Sequence, residues 1–414
     1  MSLLEQNLEK YAALAVHVGV NIQQGQTLVI NAPISAAGLI RKIAKKAYEA
    51  GARNVHVEWS DDELGLIKYQ EAPDEAFAEF PVWKAKGMEE MAENGAAFLT
   101  IHAPNPDLLK GISAERVAAA NKTHSMAMFK YRSYLMANKA CWSIIAFPTA
   151  EWARKVFPGE VNPELAISKL WDVIFEVTRI KAEDPVQLWK EHIARLTQTS
   201  KYLNDKQYQQ LIYKAEGTRL TVDLPKNHIW HGGAAVSDKG IVFSPNMPTE
   251  EVFTMPHRNG VNGVVRSTKP LNYSGNVIDG FSLTFVQGEI VHFTAETGYD
   301  TLKHLLTADE GARRLGEVAL VPHQSPISMT GLIFFNTLFD ENASSHLAIG
   351  KAYPINLAGG ADMTEEELAH HGVNTSLVHV DFMIGSADMN IDGVTPSGEV
   401  EPIFRNGNWA LPAN

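Results

Sequence analysis

The 414-residue sequence contains a single cysteine, Cys141. One thiol cannot close an internal disulfide, which fits a reducing compartment, and it rules out a metal site built from several thiolates. Cys141 opens an apolar run and reads as a buried structural thiol rather than a nucleophile. No stretch approaches the ~18 uncharged apolar residues that span a bilayer. Residues 1–18 carry Glu5, Glu9 and Lys10 and read as an amphipathic helix, not a leader, so a cytoplasmic protein is expected. Positive charge is scarce: 36 Lys and Arg face 48 Asp and Glu, a net charge of -12. Nucleic acid and anionic membranes favour basic patches and are not expected partners, whereas cations are not opposed. Missing too are a G-x-G-x-x-G fingerprint after the first strand, a Walker A loop, a G-x-S-x-G elbow and an H-E-x-x-H helix.

What is present divides at about residue 207. In the first half, apolar runs at 27–31, 54–59, 96–102 and 141–147 alternate with helical patterns at 35–50, 83–93, 114–137 and 150–157. Ser35 stands where an N-cap belongs, and Gly51 where a C-terminal glycine does. Strand–helix–strand repeats imply a mostly parallel sheet covered by helices. Helical stretches at 163–180 and 185–203 close this half. Beyond it, Leu220, Val222 and Leu224 alternate with polar residues, the period of a half-buried strand. Short strands recur between turns such as Asn259-Gly260 and Asp279-Gly280, with a helix at Tyr299–Leu306. The expected architecture is an α/β N-terminal domain, 1–206, with a mostly parallel sheet. An α+β C-terminal domain, 207–414, follows with largely antiparallel strands.

Histidine points to the second half, which holds ten of the fifteen. Within Val378-His379-Val380-Asp381-Phe382, strand geometry puts His379 and Asp381 on one face, where both can reach one cation. The polar run Phe339-Asp340-Glu341-Asn342-Ala343-Ser344-Ser345-His346 can bring Glu341 and His346 to the same place, or can be a solvated loop. Carboxylates stand beside or inside two further apolar runs, Glu250-Glu251-Val252-Phe253 and Leu315-Gly316-Glu317-Val318-Ala319-Leu320. A buried Glu317 needs a cation, either a metal or the nearby Arg313 or Arg314. Oxygen-rich ligation with some imidazole is how two-metal hydrolytic sites are built, and it accepts Zn, Co or Mn. His228, His231, His370 and His371 read as structural. His257 and His323, each after a proline, are possible supports to ligands.

Taken in this order, Asn246–Thr254, Leu315–Leu320, Glu341-Asn342-Ala343 with His346, Tyr353-Pro354 and His379-Val380-Asp381 resemble the thermophilic metalloaminopeptidase family, the aminopeptidase T, PepS and AmpS kind. The resemblance covers the whole chain. It implies that Glu251, Glu317, Glu341, His346, His379 and Asp381 form a dinuclear metal shell with Glu317 bridging. Glu251 is preferred to Glu250 on the family's Glu-Val-Phe context alone. The resemblance further implies that Tyr353 is an active-site tyrosine and that the protein is a homodimer. The expected reaction removes the N-terminal residue of short peptides through a metal-activated water, with Glu341 taking the proton and Tyr353 donating to the oxyanion. Two other readings stand beside it. One is a mononuclear non-haem iron oxygenase using His379-x-Asp381, although no histidine follows residue 381. The other is a non-enzymatic cleft-binding protein with a structural metal.

Overall fold

The computed structural model describes residues 2–273 and 276–412. The chain forms two compact units, Met1–Glu191 with Ala234–Pro248, and His192–Gly233 with Thr249–Asn414.

The first unit is built on a five-stranded parallel sheet. Its spatial order is Asn246–Met247, Trp142–Ala146, Ala97–His102, Thr27–Pro33 and Asn54–Ser60. The interior strand Thr27–Pro33 buries Leu28, Val29 and Ile30, consistent with a sheet covered on both sides by helices. The helix Ala37–Glu49 packs Leu39, Ile40, Ile43 and Ala47 inward, and Gly51 follows it at φ 97°. Its start differs from expectation. A 3₁₀ turn at Ile34–Ala36 comes first, Ser35 lies inside that turn, and Ala36 takes the cap position without a side-chain bond. The helical pattern at 114–137 is two helices, Ala114–Ala127 and Phe129–Met136, separated at Met128. An unexpected helix, Asp62–Glu71, buries no residue and so left no apolar stripe to read.

The second unit contains two antiparallel sheets. Eight strands form the larger one, in the order Glu289–Thr294, Ser282–Val286, Val261–Arg266, Thr218–Asp223, Gln210–Ala215, Asn390–Val394, Val400–Arg405 and Asn408–Trp409. The smaller has five strands. Leu211, Leu220, Val222, Leu283 and Ile391 from the larger sheet share one hydrophobic cluster with Val318, Leu320, Leu347, Ile349 and Phe382 from the smaller. The smaller sheet thus has one face fixed to the core. Among the described residues, no helix is long and apolar enough to cross a membrane.

Candidate metal centre

The five-stranded sheet runs His379–Met383, His346–Gly350, Leu315–Leu320, Val252–Thr254 and His231–Gly232, every neighbouring pair antiparallel. Its register decides which side chains meet. Glu317 lies opposite Ala348, and Ala348 opposite Asp381. Ala319 lies opposite both Phe253 and His346, and Gly350 opposite His379. Cross-strand partners share a face, as do residues two apart along a strand. Glu317, His346, His379 and Asp381 therefore project from the face opposite the core, and Glu251, two residues before Phe253, joins them. Between them stand Ala319, Ala348 and Gly350, which add little side-chain volume.

The distances are those of a cluster. His346 Nε2 is 3.2 Å from Glu251 Oε2 and 3.5 Å from Glu317 Oε1. His379 Nε2 is 3.8 Å from Glu317 Oε2 and 3.4 Å from Asp381 Oδ1. Each oxygen of Glu317 thus faces a different imidazole. Glu251, Glu317 and His346 make one group, and Glu317, His379 and Asp381 another, whose ligand atoms all lie within 4.8 Å of one another. Both histidines have Nδ1 turned to a backbone carbonyl, His346 to Ser344 at 3.1 Å and His379 to Lys351 at 2.7 Å. Donation from Nδ1 fixes the ring and leaves the Nε2 lone pair aimed at the cluster, the arrangement metal-binding histidines adopt.

Gly316 sets the register that makes this possible. A Cβ there would collide with the carbonyl oxygens of Gly350 and Lys351, and the strand pairing shifts by a bulge between Leu315 and Glu317. The Lys351 carbonyl that crowds Gly316 is also the acceptor for His379.

The electrostatics are those of anions held together. Glu317 is 5% exposed. Burial, with the nearby Asp381 and Glu251, raises its pKa despite the hydrogen bond to His346. Burial opposes charge on His346, yet Glu251 and Glu317 hold its pKa well above the ordinary value. Burial likewise opposes charge on His379, but Asp381 and Glu317 raise it to about 9. Asp381 is held low by His379, against the effect of burial. Asp381 Oδ1 is buried without a hydrogen-bond partner. Among the described residues, the ion pairs of Glu251, Glu317 and Asp381 are with histidine, not Lys or Arg. Arg313 instead bonds the Ile290 carbonyl, and Arg314 the Arg258 carbonyl and Asn259, so the salt-bridge alternative for Glu317 does not occur. Buried carboxylates cost several kcal/mol unless cations compensate them, and this donor set of oxygens and two oriented imidazoles suits divalent metals.

Protons and metal compete for this set. The carboxylates beside His346 and His379 favour the protonated form of both imidazoles in the metal-free chain. Metal affinity should therefore climb as pH rises above neutrality, and loading should release protons. Calorimetry in buffers of different ionisation enthalpy measures the release. Heats independent of the buffer would contradict the titration behaviour described.

The remaining site residues sort as follows. Glu250 turns away from the cluster, with its Oε2 3.5 Å from His192 Nε2, whereas Glu251 faces His346. Glu341 belongs to neither ligand group. Its pKa is nevertheless raised well above the usual range, by burial and by the carboxylates of Glu251, Asp381 and Glu317. The Tyr353 ring centroid is 4.8 Å from that of His379 and 6.3 Å from that of Phe253. Burial and the four surrounding carboxylates keep its hydroxyl protonated far beyond neutrality. Asn356 Nδ2 holds the following turn by donating to the Ile229 and Phe253 carbonyls. His231 lies on the edge strand and bonds the Ile355 carbonyl, and His370 ends the helix Glu365–His370. His257 and His323 join neither ligand group. Residue patterns alone did not single out Asn342, His192 or the carbonyls of Ser344 and Lys351.

Residues 4–409 match the thermophilic metalloprotease (M29) family. The chain belongs to this family. It is 63% identical over 411 residues to Aminopeptidase 2 of Geobacillus stearothermophilus, covering 99% of both chains. It is 54% identical over 411 residues to Aminopeptidase AmpS of Bacillus subtilis (strain 168), covering 99% of this chain and all of that one. The solved structure of wild-type AmpT from Thermus thermophilus superposes with a TM-score of 0.93 at 42% identity, covering 98% of this chain and 100% of that one. The M29 member is thus a hydrolase, a metalloaminopeptidase, with the α/β plus antiparallel architecture of that neighbour. Family membership sets aside the oxygenase and the non-enzymatic binding protein.

Proposed function

We propose that this M29 enzyme removes the N-terminal residue of short peptides with two divalent cations, Zn, Co or Mn, in the cluster over the five-stranded sheet. The observation that carries the proposal is that Glu317 belongs to both ligand groups, with one oxygen toward each. Glu251 and His346 would hold one cation and His379 and Asp381 the other, with Glu317 within reach of both groups. When bound, such cations lower the pKa of a water and polarise the scissile carbonyl.

The protein's own groups do the rest. His346 and His379 keep their Nε2 atoms aimed through their Nδ1 bonds to backbone. Glu341, close to the cluster with a raised pKa, takes a proton from the attacking water and passes it to the leaving amine nitrogen. Tyr353, held protonated, donates its hydroxyl hydrogen to the carbonyl oxygen as that atom gains charge. The working compartment is the cytoplasm, in keeping with a buried, unpaired Cys141. The family resemblance extends the proposal to a homodimer, which light scattering reads as the mass of two chains.

The direct test is hydrolysis of leucyl-p-nitroanilide and other aminoacyl anilides by the purified protein. Chelator should abolish chromophore release, and added Co2+, Zn2+ or Mn2+ should restore it. Release that is indifferent to chelator, or none from any aminoacyl anilide in the presence of metal, would overturn the proposal.

A further inference from the structure

We infer that Asn342 is a positioning residue that sets the aim of two carboxylates, Glu251 and Glu341, toward the metal centre. The inference rests on the proposed dinuclear reading of that centre. Asn342 is fully buried. Its Oδ1 accepts the backbone N–H of Glu250 at 2.7 Å, a contact between segments 92 residues apart. Its Nδ2 donates to the Leu338 carbonyl and to Glu341 Oε1, both at 3.2 Å. Its own carbonyl accepts the Ser325 hydroxyl at 3.1 Å.

The partners fix the orientation of the amide. A backbone N–H only donates, and a carbonyl or carboxylate oxygen only accepts. A flipped amide would set NH2 against the Glu250 N–H and oxygen against two oxygens, so the side chain has one workable placement. In that placement a single planar group does two things. It pins the peptide that leads into Glu251, whose Oε2 lies 3.2 Å from His346 Nε2. It also holds one oxygen of Glu341. Glu251 and Glu341 come from separate parts of the chain, and Asn342 bonds to the segment of each. A side chain with both an acceptor and two donors in one plane is needed, which leucine lacks entirely and aspartate supplies only in part.

Four substitutions in the full-length protein test this, read by Co2+ titration of the metal-stripped chain, by thermal melting with and without metal, and by kcat and KM. Asn342→Leu removes all three side-chain bonds and should weaken Co2+ affinity ~10–100-fold, the usual effect of losing a group that orients metal ligands. Its gain in Tm on saturation with Co2+ should shrink as well. Ser325→Ala removes a bond to the same residue's backbone and touches no site carboxylate. It should lower the melting point of the metal-free chain and leave Co2+ affinity unchanged. Asn342→Asp keeps the acceptor for the Glu250 amide but sets an oxygen against Glu341. It should keep the wild-type Co2+ stoichiometry with kcat down ~10–100-fold and KM little altered. Glu317→Gln serves as the reference.

If Glu317→Gln weakens Co2+ binding and Asn342→Leu does not, Asn342 is structural only and the inference is wrong. If Glu317→Gln itself binds Co2+ as the wild type does, the dinuclear reading has failed instead. Should Asn342→Leu not fold, a folded Asn342→Asp with wild-type kcat overturns the inference.

Discussion

Glu317→Gln is expected to lower kcat by about three orders of magnitude or more and to leave the protein unable to hold its full metal complement. A bound cation supplies several kcal/mol of transition-state charge stabilisation, and each ~1.4 kcal/mol is a factor of ten in rate. Glu317 alone contributes to both ligand groups, with Oε1 toward His346 and Oε2 toward His379. Glutamine preserves the shape and offers only one oxygen acceptor, so it cannot serve both sides. The strand that carries it is buried along its whole length and paired on both edges, which holds the fold in place while the chemistry is lost. Elemental analysis together with kcat reads the result. A variant with the wild-type metal count and a kcat within a factor of ten, on the same rate scale, would remove Glu317 from the centre.

Tyr353→Phe should act differently. The hydroxyl is proposed to bond an oxygen that becomes charged only as the reaction proceeds, and losing one such donor typically costs ~3 kcal/mol, or two to three orders of magnitude in kcat. Because the interaction forms in the transition state, KM should change little. Metal content should stay at the wild-type level, since Tyr353 is in neither ligand group. Loss of metal along with activity would give the tyrosine a structural role, carried by its packing against His379 and Phe253.

Periodicity made the broad architecture legible. Apolar runs alternating with helical patterns indicated the parallel sheet, and the switch to period two indicated the antiparallel one. Where the sequence was silent, the reasons are local. Asn246–Met247 joins the parallel sheet through two residues beside Trp142–Ala146, too short a segment to carry a period, yet it takes Ala234–Pro248 into the first unit. Helix Asp62–Glu71 buries nothing, so no stripe marked it. At the centre, the two-residue spacing of His379 and Asp381 could be read directly, because a strand returns to the same face at that interval. Glu250 and Glu251 could not be told apart by composition. Adjacent residues point to opposite sides of a strand, and only the pairing of Phe253 with Ala319 sets the phase that turns Glu251 toward His346. Glu317 drew attention because a carboxylate inside an apolar run must find a cation. Its relation to His346 and Asp381 depends on cross-strand register and on the bulge at Gly316, which no linear pattern encodes. Asn342 is legible only as part of the Glu341-Asn342-Ala343 motif, and its bond to Glu250 is hidden for a similar reason, since that partner is 92 positions away.

The most direct measurement is an anomalous-difference map from crystals grown with Co2+ or Zn2+, collected on both sides of the metal's absorption edge. Two peaks are predicted in each chain, one between Glu251 and His346 and the other between His379 and Asp381, with Glu317 reaching both. A single peak, or peaks remote from Glu317, would contradict the dinuclear centre.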